Sequence, residues 1–337
     1  GVDDIGVPVV ELHPVGARAS SRLDAVLEID LETGQARTIA GGEEAMPEPR
    51  AALPLDIEIP ALNPGEASIH GFFYTPKLAT PDVPPLILIA HGGPTSAAYP
   101  VFNPQVQYWC QRGFAVAEIN YRGSTGFGRE FRLALEGRWG DVDVADMERA
   151  ADHLASFGLA DGRRVFIQGR SSGGYTALMA MIRSRRFTAG ASMFGVTDPM
   201  RLRAMTHRFE SGYLDWLLGS PEKYPERWQE RTPLLHAERI TAPMIFFQGG
   251  QDRVVVPEQT RAMTEAMKAA GRMSDAIADQ HYEAHVDKPF FPGLKAFMTS
   301  SPIVAAVFEG PDAVRAARAA MGAAWHTGAA PRRPAPG

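Results

Sequence analysis

The sequence predicts an α/β protein built on a doubly wound, mostly parallel sheet. Apolar strands alternate with amphipathic helices through the middle of the chain, which is the order in which βαβ units are built. The strands are continuous apolar runs, such as 86–90, as expected of parallel strands that are buried on both faces. A strand, a sharp turn and a helix also meet around Ser171. The 337 residues are 45% hydrophobic, which is enough for a sizeable core.

The first part of this pattern runs to about residue 123. Short β segments are predicted over 1–66, where LDAVLEIDLETGQARTIAGG alternates apolar and polar residues and turns at Thr33-Gly34, as a β-hairpin does. The sequence pattern changes at about Ala67, where strands begin to alternate with helices. From there the predicted elements are a strand in SIHGFFYTP, a buried strand in PPLILIAHGGP, a helix in FNPQVQYWCQRG and a buried strand in FAVAEINYRG.

The second part of the pattern continues to Gly271. Helices are predicted in DVADMERAADHLASFG and in VPEQTRAMTEAMKAAG, the latter ended by Gly271. Buried strands are predicted in VFIQG, FTAGASMFGV and APMIFFQGG. The tail over 323–337 is rich in Ala, Pro and Arg, which predicts disorder.

Charge and composition exclude several classes of function. The net charge of -5 argues against nucleic acid as a partner. No run of about 18 apolar residues predicts a membrane span. The chain begins GVDDIGV, without Met or the basic start of a signal peptide, so we expect a fragment or a processed chain. The single Cys110 excludes an internal disulfide and favours a reducing compartment, so a cytoplasmic protein is expected.

Ser171 is the candidate nucleophile. It lies at the apex of G-x-S-x-G in VFIQGRSSGGY, between an apolar strand and a helical run. This turn forces the serine into strained backbone angles, and side chains at the flanking glycines would collide with it. The alternative interpretation is an ordinary glycine-rich loop between a strand and a helix.

A serine nucleophile requires a base, an orienting acid and an oxyanion hole. Asp252 follows the late strand APMIFFQGG and is the candidate acid, although it could instead cap the next helix. The backbone N–H of Ser172 and the loop His91-Gly92-Gly93-Pro94 are candidate oxyanion elements. His91 precedes the serine, whereas the base comes last in chain order in this kind of site, so a structural role is expected for His91. No metal or organic cofactor is implied.

Ordered blocks over about 67–271 resemble the catalytic domain of the prolyl oligopeptidase family, in its dipeptidyl and acylaminoacyl-peptidase branch. They are HGGP, WCQRGFAVAEINYRGSTGFGREFR, GRWGDVDVADM, VFIQGRSSGGY, FTAGASMFGVTD, RFESGYLDWLLGSPEKY and QGGQDRVVVPEQ. The resemblance implies an α/β-hydrolase fold and serine peptidase chemistry on short peptides. It implies Ser171 as nucleophile, Asp252 as acid, and Gly93 and Ser172 as oxyanion donors. In that family a β-propeller covers the site, and residues 21–40 resemble the end of one.

The resemblance breaks where the family's catalytic histidine loop, of G-H-G-F type, should follow the acid. This chain has AMKAAGRMSDAIADQHYEAHVDKPFFPG instead. His281 and His285 fall near the expected distance from Asp252, and His285 is the candidate base. Their setting is a polar helical run, which favours solvated helix histidines. The alternative to a peptidase is therefore a catalytically dead remnant or a fusion protein.

Residues 273–323 resemble an internal piece of nucleoside diphosphate kinase, which predicts a C-terminal αβα segment over 272–322 joined near Gly271. In that family the residues matching Phe290 and Leu294 line the nucleotide base, although core aromatics are the simpler interpretation. The kinase's N-terminal K-P-D strand and its phosphate-accepting histidine block are absent from the sequence. A nucleotide-binding protein is thus a second alternative, and phosphoryl transfer is not expected. The sequence carries no signal of oligomeric state.

Overall fold

A seven-stranded sheet forms the centre of the structure, a computed structural model that describes residues 21–29, 33–47, 50–62, 65–78, 82–205 and 208–270. The predicted kinase-like segment and C-terminal tail lie outside these residues. So do His281 and His285, together with Phe290 and Leu294.

The strands follow the predicted apolar runs. In chain order they are β1 Ala25–Ile29, β2 Ala36–Gly41, β3 Pro54–Ile59, β4 Ile69–Tyr74, β5 Leu86–Ala90, β6 Ala115–Asn120, β7 Val165–Arg170, β8 Ala189–Met193 and β9 Met244–Phe247.

Helices connect the parallel strands. They are α1 Pro104–Cys110, α2 Arg129–Leu133, α3 Val142–Ser156, α4 Ser172–Arg183, α5 Pro199–Met205, α6 Arg208–Leu218, α7 Pro225–Glu230 and α8 Pro257–Ala270, with a 3-10 helix at Pro233–Arg239. The short elements α2, α5, α7 and the 3-10 helix were not predicted from the sequence.

The sheet has the predicted doubly wound, mostly parallel topology. Its strand order is β3-β4-β6-β5-β7-β8-β9. The five strands from β6 to β9 along this order pair in parallel, while β3 and β4 pair antiparallel at one edge. The predicted N-terminal hairpin is also confirmed, because β1 pairs antiparallel with β2 across the Thr33-Gly34 turn.

The central sheet begins upstream of Ala67, which is the predicted start of the hydrolase domain. Strand β3 pairs along its whole length with β4, from Pro54 opposite Tyr74 to Ile59 opposite Ile69. Its sequence PLDIEI alternates in polarity, as suits an edge strand with one solvated face. The domain boundaries themselves stay predictions.

The sheet is buried on both faces. Leu88 and Ile167 belong to a large core cluster with α3 and α4, while Ile87 and Val116 belong to a smaller one with α1. Cys110 lies in the smaller cluster and is buried with a free thiol, so it acts as the small apolar residue expected. Packing on both sides fixes the carboxyl ends of β5, β6, β7 and β9, and the loops that follow these ends form the site.

Candidate active site

Ser171 has the strained backbone that the sequence predicts. Its φ of 51° and ψ of -119° lie in a region that L-residues rarely occupy. Its N–H donates to the carbonyl of Met193 at 3.0 Å, which ties the turn to the neighbouring strand β8. A strained residue held by surrounding structure is the geometry of a nucleophile elbow.

The two glycines that flank Ser171 are required by contact distances. A Cβ on Gly169 would lie 2.2 Å from the carbonyl oxygen of Gly173. A Cβ on Gly173 would lie 2.1 Å from the carbonyl oxygen of Ala90. Real Cβ atoms do not approach backbone atoms so closely, so any larger residue would push α4 away from the end of β5.

The candidate oxyanion elements lie on either side of the elbow. Ser172 is the first residue of α4, where backbone N–H groups have no helical acceptor and the helix dipole favours negative charge. The loop after β5 approaches closely, because a Cβ built on Gly92 would be 3.8 Å from the Cβ of Ser171. Gly93 has a φ of 126°, which only glycine adopts without strain.

His91 is fixed in a structural role by its neighbours. Its ring stacks on Tyr121 with centroids 4.4 Å apart, and Nε2 lies 2.7 Å from the hydroxyl of Ser124. Nδ1 lies 2.7 Å from the carbonyl of Gly92. Burial lowers the pKa of His91 to about 4, so the ring is neutral at pH 7. His91 therefore shapes the loop His91-Gly92-Gly93-Pro94, which carries the candidate oxyanion donor Gly93 and which we call the oxyanion loop.

A buried ion pair holds the loop that supports His91. Asp146 of α3 accepts from the backbone N–H of Arg122 at 2.8 Å and from its guanidinium at 2.6 Å. Arg149 adds a second cation on Asp146 at 3.4 Å. Asp146 is fully buried and both arginines are nearly so, so the pair is hydrogen-bonded as buried charges must be. This network was not predicted from the sequence.

Asp252 is held at the carboxyl end of β9. Its Oδ1 accepts from the backbone N–H groups of Val254 at 2.9 Å and Val255 at 3.1 Å. Helix α8 begins only at Pro257, so these bonds organise the loop and do not cap the helix. These bonds fix the carboxylate of Asp252 on a loop whose residues Val254 and Val255 line a pocket beside Ser171.

An apolar cavity of about 190 Å³ opens beside Ser171 and Ser172. We call it the acyl cavity. Its walls come from segments that are far apart in the chain, and its other lining residues are Gly93, Pro94, Trp139, Val196, Leu202, Tyr213, Leu214, Leu217, Val254 and Val255. The hydroxyl of Tyr213 lies 2.7 Å from that of Thr95, which ties α6 to the oxyanion loop. The block RFESGYLDWLLGSPEKY, which contains α6, resembles the family in sequence, but the sequence alone does not predict which of its side chains line a cavity.

The described histidines do not supply the base. His70 stacks on Phe127 at 4.5 Å, His153 packs on Phe157 at 4.6 Å, and the Nε2 of His236 lies 3.0 Å from a backbone carbonyl. His91 is likewise committed to its own contacts. The candidate His285 lies outside the described part of the chain.

Within the described ranges, no cluster of His, Cys, Asp or Glu side chains has the size and geometry to hold a metal ion. None of the helices in those ranges combines the length and apolar character that a membrane crossing requires.

The sequence profile of the prolyl oligopeptidase family matches residues 100–288, so the chain belongs to the prolyl oligopeptidase family of peptidases. The profile of nucleoside diphosphate kinase matches residues 258–333. The first match extends past Gly271 and includes His281 and His285. The two matches overlap over 258–288, a range that contains the predicted join near Gly271.

Curated relatives carry peptidase names. The chain is 30% identical over 190 residues to dipeptidyl peptidase family member 6 of Caenorhabditis elegans, covering 54% of this chain and 26% of that protein. It is 29% identical over 227 residues to the acylamino-acid-releasing enzyme of Arabidopsis thaliana, covering 61% and 28%. The chain thus spans about a quarter of the length of these relatives.

Solved structures agree with the fold. A puromycin hydrolase is 39% identical, with a TM-score of 0.70 over 75% of this chain and 39% of that one. A puromycin-hydrolyzing peptidase of Mycobacterium tuberculosis is 33% identical, with a TM-score of 0.71 and the same coverage. The predicted α/β-hydrolase fold is therefore confirmed.

Proposed function

We propose that this chain carries the hydrolytic site of a serine peptidase that cleaves short peptides or acylated peptides through an acyl-enzyme on Ser171. The strained elbow is the observation that carries the proposal, because its geometry serves little purpose other than presenting a nucleophile. The peptidase names of the relatives support the reaction class. The buried, unpaired thiol of Cys110 is compatible with action in the cytoplasm.

In the proposed mechanism the Oγ of Ser171 attacks the scissile carbonyl carbon and gives its proton to the base, for which His285 is the candidate. The backbone N–H groups of Gly93 and Ser172 stabilise the oxyanion that forms. Asp252 orients the base and stabilises its protonated form. Collapse of the intermediate passes the proton to the leaving amine, and water then hydrolyses the ester on Ser171 by the same steps.

The acyl cavity favours a substrate with an apolar side chain on the acyl side of the scissile bond. Its wall side chains are aliphatic or aromatic, and Trp139 and Leu217 are almost completely buried. A charged side chain would lose its hydration there without gaining a partner of opposite charge. Peptides with Phe, Leu or Met at this position are the proposed substrates.

Labelling with a fluorophosphonate probe tests the proposal, because the probe reacts quickly only with an activated serine. The full-length protein should be labelled at Ser171 and at no other serine, and Ser171→Ala should abolish labelling. Ser156→Ala, at the exposed end of α3, is the matched control and should be labelled normally. If the folded protein is not labelled, the chain is a catalytically dead remnant and the proposal is refuted.

The kinase match favours a second candidate function, nucleotide binding at Phe290 and Leu294. Titration of the full-length protein with ADP and Mg²⁺ tests it. Saturable binding that is weakened by Phe290→Ala would support this function. The absence of binding would refute this second function.

A further inference from the structure

A second cavity, of about 250 Å³, lies on the other side of the oxyanion loop. Gly93 and Ser171 border the acyl cavity, whereas Gly92 and Arg170 border this one. The two cavities therefore meet the nucleophile from opposite sides. If the acyl side chain of a peptide occupied the first cavity, a leaving group on the other side of Ser171 would reach the second.

The floor of this cavity is set by strand register. Ile89 of β5 lies opposite Glu118 of β6 on one side and Gln168 of β7 on the other, so these three side chains form a row across the sheet. Two residues further along β7, Arg170 emerges on the same face and pairs in register with Met193. All five residues line the cavity.

Hydrogen bonds hold the polar side chains of the cavity in place. Glu118 is buried and accepts from the hydroxyl of Tyr74 at 2.9 Å and from Nδ2 of Asn103 at 3.1 Å. Burial raises the pKa of Glu118, whereas its hydrogen bonds to Tyr74 and Asn103 and the nearby charge of Arg170 act in the opposite direction. The wall loop is fixed too, because Asn120 accepts from the N–H of Ala98 at 2.7 Å and donates to its carbonyl at 3.2 Å.

Arg170 provides an exposed positive charge at the mouth of the cavity. Its Nη2 donates to Oε1 of Gln105 at 3.1 Å, and Nε2 of Gln105 donates in turn to Gln168 at 3.3 Å. Gln105 thus holds the guanidinium over the opening. A guanidinium has five N–H donors in a planar fork, and that fork matches the two oxygens of a carboxylate.

We propose that this cavity is the leaving-group site, and that Arg170 binds the C-terminal carboxylate of a short leaving peptide. The wall segment Ala97–Val101 has small or apolar side chains at Ala97, Ala98 and Val101, which suits small apolar residues. A dipeptide spans roughly 7 Å, which is within the reach of an arginine next to the nucleophile. The inference rests on the proposed function and adds a preference for substrates that end in a free carboxylate.

The test compares acetyl-Phe-Ala-Ala with its C-terminal amide, using calorimetry on the full-length Ser171→Ala protein so that no turnover is needed. The acid should bind about tenfold more tightly than the amide, or about 1.4 kcal/mol. Adding Arg170→Gln should reduce this ratio to about one, and Arg170→Lys should retain part of it. Arg163→Gln is the matched control, since Arg163 lies near the opposite end of β7 and is 92% exposed. It should leave the ratio unchanged.

Each other result is also decisive. Equal binding of acid and amide, or a preference that survives Arg170→Gln, would overturn the leaving-group assignment while leaving the acyl cavity intact. Failure of both peptides to bind would refute the proposed peptidase function, and the leaving-group site with it.

Discussion

Replacing Gly173 by alanine should destabilise the protein, although the same change normally stabilises a helix. Gly173 lies in the first turn of α4, and its added Cβ would meet the carbonyl oxygens of Ala90 at 2.1 Å and of His91 at 2.7 Å. Both atoms belong to backbone at the end of β5, in the middle of the sheet, and neither can move like the end of a flexible side chain. The contact can be relieved only if α4 shifts as a whole.

The magnitude follows from two opposing effects. Alanine in a helix is favoured over glycine by about 1 kcal/mol. Overpacking against fixed atoms costs about 3 kcal/mol or more, so a net loss of about 2 kcal/mol or more is expected. Gly212 in α6 has nothing within 4 Å of an added Cβ, so Gly212→Ala should show the helix preference alone.

Thermal unfolding of the two full-length variants shows whether each substitution stabilises or destabilises the protein. Gly173→Ala should lower the Tm by about 4–8 °C, and Gly212→Ala should raise it by about 1–4 °C. Gly173→Ala should also label poorly with a fluorophosphonate, since a shift of α4 displaces Ser171. If Gly173→Ala unfolds at or above the temperature of the unaltered protein, the steric account of the elbow is wrong.

Three further outcomes are expected. If the chain hydrolyses peptides, Asp252→Asn should lower kcat by orders of magnitude with little change in KM, because the substitution disturbs the tautomer of the base. An unchanged kcat would exclude Asp252 as the acid. The pKa of His91 is lowered to about 4 in the folded state. As the pH falls from 6.5 toward 4, His91 is therefore protonated in the unfolded state but remains neutral in the folded state. Over this pH range the free energy of unfolding should therefore fall by about 3 kcal/mol more in the unaltered protein than in His91→Gln. Denaturation measurements that show the same loss of stability in both proteins would contradict this. Incubation with ATP should give no phosphohistidine by mass spectrometry; detecting one would restore the kinase alternative.

The predictions that succeeded depend on local chemistry. The elbow at Ser171 follows from steric limits on a few neighbouring residues, and those limits are the same wherever the motif folds. The parallel strands follow from continuous apolar runs bounded by glycines, since only burial on both faces tolerates such runs. The elbow and the parallel strands can therefore be predicted from the sequence without knowing which other segments pack against them.

The features that were missed depend on contacts between distant segments. Arg122 and Asp146 look like ordinary charged residues of a loop and a helix until β6 and α3 bring them together. The acyl cavity takes its walls from segments around 139, 202–217 and 254–255, and no periodicity links these segments. The pairing of β3 with β4 was also not predicted, because the alternating polarity of β3 fits any half-exposed strand.

The dependence of His91 on Arg122 and Asp146 has an evolutionary consequence. A change at Asp146 alone would leave a buried guanidinium without its main counter-charge, and a change at Arg122 alone would leave a buried carboxylate facing Arg149 only. Either single change carries a penalty of several kcal/mol, whereas a chain that has lost both side chains leaves neither of the two charges unpaired. The two positions should therefore covary among family members, and lineages that lost the pair together should show relaxed constraint at Tyr121 and Ser124 as well.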